Sequence, residues 1–490
     1  MSVRADLKRL VARSAAYGAG AVFLRAVGFL LLPVYTRFLT PEDYGIVAVA
    51  NTVALMLGLL MPLGLHGALS RFYFRTSDDA ERRIVGGTLW LATLGTAAVV
   101  TIVLQLYGAP LFAWLFPDVP FSPYLRLAVW LAFVTVFPLV PQNLLQAREQ
   151  ARLYVAITTG AAILTIACTL AFVVVGRMGA RGYLLGTLVS GALAAVPYTV
   201  LALRSTRPAV RWDLLRAALA YSLPLVPHGV AGWVLEMSDR AILARFVPIA
   251  EVGVYSLGYQ LGSALSLILT AFTSAWVPYL FRTLSARGTG GDAELARAAT
   301  YYAACLCFAA LGIGLLVEQV LVGLAPPAFA GASRIAVWVA AGYVLNGLYV
   351  LPVGFLFWKE RTGLIPVVTV MAGLLNVGMN LLLVPRFGAI AAAWATFAAY
   401  GAMLVLAYAF AQRLHPFPYE YGRLLRVVGV AALLLGIGLG VAAPTPALTL
   451  GWRTSLWLAY PGVLGASGFF TQSEAAVVAR MFRRARAALS

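Results

Sequence analysis

Arg25 stands in AVFLRAVGFLL, about eleven residues from either end of an apolar run. A charge at that depth of a bilayer costs roughly 2.5 to 3.5 kcal/mol, so it normally faces a cavity or a partner. A guanidinium presents a fixed fork of donors to phosphate and keeps its proton, which makes Arg25 a candidate anchor for a phosphate-bearing ligand. The alternative is an arginine that snorkels or pairs with an acid on another helix. GWVLEMSDRAILAR places Glu236 and Arg240 four apart and so on one helix face. They form either an intrahelical ion pair or part of a coupling device, in which Glu236 or Asp239 binds a proton or cation and changes partners during a working cycle. Glu318 is a further candidate of that kind.

Uncharged polar residues in the apolar runs offer a second chemistry. Asn51 and Gln260 could line a cavity and bond hydroxyl groups, with Tyr255 and Tyr259 on the same wall, or they could join helix to helix. Arg71, with Arg75 and Arg282, closes apolar runs and is placed to meet an incoming anion, although membrane topology alone also predicts basic residues there. His66 and His228 lie near proline bends, where a packing role competes with proton carriage. Cys168, Cys305 and Cys307 lack metal-ligand spacing and read as small apolar fillers. No glycine-rich phosphate loop, HExxH or nucleophile elbow occurs.

The elements that must position these groups follow from composition. Residues are 62% hydrophobic and only 11% charged, with mean hydropathy +0.88. Soluble domains carry about a quarter charged residues. Runs of about 20 apolar residues recur along the chain, as helices that cross a bilayer require. Long unalternating Ala/Leu/Val/Gly stretches argue against a barrel. The reading is an all-α integral membrane protein of fourteen spans: 14–36, 45–69, 84–107, 124–147, 154–175, 182–203, 217–238, 252–278, 298–323, 334–358, 363–384, 388–411, 427–443 and 454–470. With both termini cytoplasmic, 26 of the 36 Lys and Arg residues fall in inner segments, as the positive-inside rule requires. Topology and anionic lipid therefore account for the net charge of +18 without nucleic acid.

The two halves of the chain repeat one another. Arg37-Phe38-Leu39, Asp43 and Gly45 match Arg245-Phe246-Val247, Glu251 and Gly253 at an offset of 208. Pro141 and Arg148-Glu149 match Pro352 and Lys359-Glu360 at 211, and Arg177-Met178-Gly179-Ala180 with Thr187 matches Arg386-Phe387-Gly388-Ala389 with Thr396 at 209. Each copy holds six spans, an even number, so both enter the membrane from one side as parallel repeats about a pseudo-twofold axis along its normal. The expected organisation is a cytoplasmic segment 1–13, an N-lobe 14–203, a linker 204–215, a C-lobe 216–411, two further helices in 424–470 and a basic tail 471–490. Prolines 33, 62, 138, 141, 224, 227, 278 and 352 are expected to bend their helices.

LLLPVYTRFLTPEDYG, SDRAILARFVPIAEVGVYS and the two extra C-terminal helices resemble the polysaccharide transport branch of the MOP exporter superfamily, the Wzx-type flippases of lipid-linked oligosaccharides. The resemblance covers nearly the whole chain. It implies a two-lobe alternating-access transporter of the bacterial inner membrane whose partner is a polyprenyl-diphosphate-linked oligosaccharide, in company with other polysaccharide assembly proteins. It implies no cofactor, but coupling to a proton or sodium gradient or to the membrane potential. On this reading Arg25 anchors the diphosphate, Asn51, Arg71, Tyr255, Tyr259 and Gln260 meet the cargo, and Glu236, Asp239, Arg240 and Glu318 serve coupling. Two relatives compete: a lipid II flippase, and a multidrug exporter, whose cationic cargo would favour an acidic cavity. A membrane polymerase or ligase would need a substantial outer loop rich in acids and bases, whereas the longest, 108–123, holds one acid and no base.

Overall fold

The computed structural model describes residues 28–441, 444–471 and 474, with the side chain of His228 outside the description. Among these residues the protein is helical and contains no strand. The first half comprises α1 (Leu32–Phe38), α2 (Pro41–Leu60), α3 (Leu65–Tyr73), α4 (Asp79–Leu115), α5 (Arg126–Val134), α6 (Leu139–Ala147), α7 (Ala151–Leu170) and α8 (Gly179–Ser205). The second comprises α9 (Trp212–Ser222), α10 (Val226–Phe246), α11 (Ile249–Gly262), α12 (Ser266–Arg287), α13 (Asp292–Leu324), α14 (Ala332–Trp358), α15 (Leu364–Phe387) and α16 (Ala389–Leu414). α17 (Tyr421–Gly440) and α18 (Pro446–Ala466) follow.

Ten helical stretches among the described residues are long and apolar enough to cross a membrane, or eleven when the bent pair α9–α10 is taken as one span. The number falls short of fourteen for identifiable reasons. Most of the first predicted span lies outside the described residues. The eighth and ninth join within one helical stretch, Ile249–Leu324, and α18 occupies the last predicted span without belonging to the apolar set. Lipid offers backbone groups no partner, so helix replaces loop wherever it can. α4 accordingly runs on to Leu115, with Pro110 inside it, through half of the expected outer loop.

Proline acts in two ways. Pro62 precedes a break between α2 and α3, where Leu63 and Gly64 take positive φ, and Pro138 separates α5 from α6. Pro224 lies in a 3-10 turn between α9 and α10, and Pro227 in the first turn of α10. Pro278 and Pro352, by contrast, sit inside continuous helices.

The repeat is legible bond by bond. At the end of α6, Arg148 N donates to Leu144 O at 3.0 Å and Gln150 N to Leu145 O at 2.8 Å, around Glu149 at φ 57°. At the end of α14, Lys359 N donates to Phe355 O and Arg361 N to Leu356 O, both at 2.9 Å, around Glu360 at φ 57°. Every one of these positions is shifted by the same 211 residues. Asp43 closes a capping box with Thr40 and also accepts the Ala180 N–H at 2.8 Å, beside Gly179 at φ +56°. In the second copy, Glu251 lies against Gly388 at φ +66°. Two matched glycines meet reciprocally: a methyl on Gly45 would overlap the carbonyl oxygen of Ile249, and one on Gly253 that of Pro41. Residue i meets j′ and j meets i′, the signature of a twofold relation.

The chain forms two compact units. The first comprises Met1–Leu257, Leu324–Ala332 and Thr369–Thr396. Its core holds Leu65, Leu69, Leu89, Trp90, Val140 and Leu144. The second comprises Gly258–Gly323, Ser333–Val368 and Phe397–Ser490. Its core gathers Trp276, Leu280, Leu306, Phe355 and Leu356, with a neighbouring cluster in which α17 and α18 pack on α13 through Leu315, Leu434 and Tyr460. In lipid the drive to associate is close packing and hydrogen bonding, not water release, and small residues let backbones approach. Ala391, Ala392, Ala393 and Ala395 on α16 are accordingly 0% exposed.

Candidate functional site

Asp239 lies in α10 and is wholly buried. An isolated carboxylate there would cost many kcal/mol, so it must be met by donors or neutralised. Three other helices of the first unit supply them. Tyr255 of α11 donates its hydroxyl to Oδ2 at 2.6 Å, Thr396 of α16 donates to the same oxygen at 2.8 Å, and Asn380 of α15 donates Nδ2 to Oδ1 at 2.8 Å. One turn along α15, Asn376 Oδ1 accepts from Asn380 at 3.1 Å and from Ser238 at 3.4 Å. Asn380 Oδ1 and Asn376 Nδ2 are buried without a hydrogen-bond partner among the described residues. One carboxylate ringed by amide and hydroxyl oxygens is a donor set for a small hard cation, and the same carboxylate can take a proton.

Arg240 follows directly and is 9% exposed. Its Nη1 donates to the carbonyl oxygen of Glu236 at 3.1 Å, so these two meet through backbone and not as carboxylate and guanidinium. The guanidinium carbon lies 5.9 Å from the centre of the Tyr255 ring, and Arg240 is within electrostatic reach of both Asp239 and Tyr44. The Glu236 residue itself is exposed.

A second polar group occupies the first half. Tyr35 Oη and Thr169 Oγ1 are 2.6 Å apart, and the rings of Tyr35 and Tyr183 meet edge to face at 5.4 Å. The Tyr183 side chain hydrogen-bonds Asn51 of α2, and Tyr44 lies within electrostatic reach of Tyr35 and Tyr183. Its ring packs edge-on to Phe329 at 5.8 Å.

The other candidate residues fall elsewhere. Arg25 lies outside the described residues. Arg71 is exposed at the end of α3, its guanidinium 4.4 Å from the centre of the Tyr221 ring. Tyr255, expected on a cargo wall, gives its hydroxyl to Asp239 instead. Tyr259 belongs to the second unit, where its hydroxyl lies 3.5 Å from that of Tyr343, and the Gln260 carbonyl accepts from Ser263 at 3.0 Å. Glu318 pairs with the buried Arg453 of α18 at 2.6 Å. Sequence reasoning missed Asn376, Asn380, Tyr35, Tyr44 and Tyr183. The available signal was two asparagines one turn apart in LLNVGMNLLL and the Thr396 already marked by the repeat.

A model of the family described as "Polysaccharide biosynthesis protein" matches residues 10–284, more than half of the chain. The chain belongs to that family. Among relatives of the chain is the EPS I polysaccharide export inner membrane protein EpsE of Ralstonia nicotianae, 24% identical over 68% of this chain and 77% of its own length. Among solved structures, the lipid II flippase MurJ in an inward closed conformation superposes with TM-score 0.73 at 11% identity, covering 94% of this chain and all of that one. An inward-facing MATE family multidrug transporter of the MOP superfamily gives TM-score 0.63 at 15% identity over 80% of this chain and 95% of its own. The chain thus has the fold of the MOP exporters.

Proposed function

We propose that the protein is a flippase, not an enzyme, which turns a polyprenyl-diphosphate-linked oligosaccharide across the bacterial inner membrane by alternating access. A proton or sodium ion bound at Asp239, or the membrane potential acting on that charge, couples the cycle. The observation that carries this reading is the buried carboxylate of Asp239 under donors from three further helices, with Arg240 beside it. Such a site changes its charge on binding a cation, and a change of charge inside a bilayer is costly enough to select one arrangement of helices over another. Lobes 14–203 and 216–411 would rock about the cargo while α17 and α18 stand beside the polyprenyl tail, with both termini in the cytoplasm. Family membership and the export role named for EpsE support a glycan cargo.

The test uses the full-length protein in proteoliposomes with lipid-linked oligosaccharide extracted from the source bacterium. Glycan arriving on the far leaflet is followed under a sodium gradient, a pH gradient or an imposed potential, with lipid II as competing cargo. Acceleration by one of these forces, lost in Asp239→Asn, is expected. A rate no faster than in protein-free vesicles would refute the reading, and preference for lipid II would reassign the cargo.

A further inference from the structure

We infer that Tyr35, Tyr44, Asn51 and Tyr183 form an uncharged glycan subsite that holds a pyranose ring of the cargo. The inference rests on the flippase reading and adds to it where sugar is recognised. Its main support is a comparison that the repeat makes possible. Tyr35 and Tyr44 correspond at an offset of 208 to Leu243 and Val252, and Tyr183 corresponds at 209 to Ala392. Leu243, Val252 and Ala392 are each 0% exposed. The second copy therefore closes its packing at these positions with plain apolar side chains, so the fold does not require the three phenols. Helix-to-helix bonding through Tyr35–Thr169 and Tyr183–Asn51 is something the first copy has added.

Burial separates the two copies again. Tyr35, Tyr44, Asn51 and Tyr183 are all part-exposed, while Thr36, Val49, Ala50 and Leu184 beside them are buried. This residual exposure leaves part of each ring and amide uncovered by the protein. The chemistry matches a sugar. A pyranose carries C–H bonds on its faces, which suit the negative face of an aromatic ring, and hydroxyls at its rim, which pair with phenol and amide groups. Arg240 of the second copy lies within electrostatic reach of Tyr44.

The experiment exchanges each tyrosine for its second-copy counterpart, Tyr35→Leu, Tyr44→Val and Tyr183→Ala, in the full-length protein in nanodiscs. Two probes are compared by native mass spectrometry: bare undecaprenyl diphosphate, and lipid-linked oligosaccharide extracted from the source bacterium. Wild type is expected to bind the glycosylated lipid more tightly, and the exchanges to weaken that binding about tenfold while leaving the bare diphosphate unchanged. Equal loss for both lipids, or no loss for either, overturns the inference in favour of packing. If wild type binds neither lipid, the flippase reading fails and this inference with it. Should an exchange prevent folding, Tyr35→Phe and Tyr183→Phe keep the rings, remove the hydroxyls, and must still reduce binding of the glycosylated lipid selectively.

Discussion

The two copies of the repeat share their backbone and differ in their polar side chains. Glu149 and Gly179, both at positive φ, match Glu360 and Gly388, and Gly45 and Gly253 meet reciprocally, because these features belong to the chain path. Asp239 of the second copy, however, corresponds to Leu31 of the first, and Tyr255 to Val47, while the phenols of the first copy correspond to Leu243, Val252 and Ala392 in the second. The two copies thus carry different polar groups: a buried, hydrogen-bonded carboxylate in one and a neutral hydroxyl cluster in the other. Symmetry shows what the fold needs, and departures from it show what has been added.

That contrast can be broken most severely at Asp239. Asp239→Asn is expected to reduce gradient-dependent flipping by about 100-fold, the upper range of a site coupling, whereas Leu31→Val at the matching position changes it less than twofold. Equal losses in both would remove the asymmetry. Thr396→Val should raise the half-saturating cation concentration about tenfold by leaving the carboxylate one donor short. Its counterpart Thr187, which bonds the Tyr183 carbonyl at 2.8 Å, should tolerate the same change with cation response intact.

The shared part of the comparison is tested at the glycines. Gly45→Ala and Gly253→Ala should each destabilise by about 1 to 3 kcal/mol in detergent melts, by equal amounts, and less than additively when combined, since both force one crossing apart. A large effect at one and none at the other would deny the twofold relation. The smallest change is expected at Glu318→Gln. The Glu318 side chain is 58% exposed, and Arg453 keeps the Gly438 carbonyl at 3.2 Å, so the loss should be about 1 kcal/mol with cation dependence unaltered. A shift in cation dependence would return Glu318 to the coupling machinery.

Much of the fold was legible in the chain because the signals are local. Hydropathy over about 20 residues marks a span, Thr40 and Asp43 spell a capping box, and Gly179 and Gly388 mark left-handed turns. Pro62 and Pro138 stand at helix breaks whereas Pro278 and Pro352 sit inside continuous helices, since the effect of a proline depends on whether neighbours satisfy the freed carbonyl. The site was half legible. Asp239 stood out as an acid in an apolar run, but Tyr255 was assigned to a cargo wall and the asparagines were passed over.

By itself the sequence determined an all-helical membrane protein, the internal repeat of its two halves, and the short list of charged residues within its apolar runs. Each of these follows from residues near one another or from an offset that can be counted. The tertiary structure alone decided which polar groups meet. Asp239 finds its donors 16, 141 and 157 residues away. In helices apolar on every side, no amphipathic stripe records which face turns inward, so only the packing of one helix on another could bring those donors to a single carboxylate.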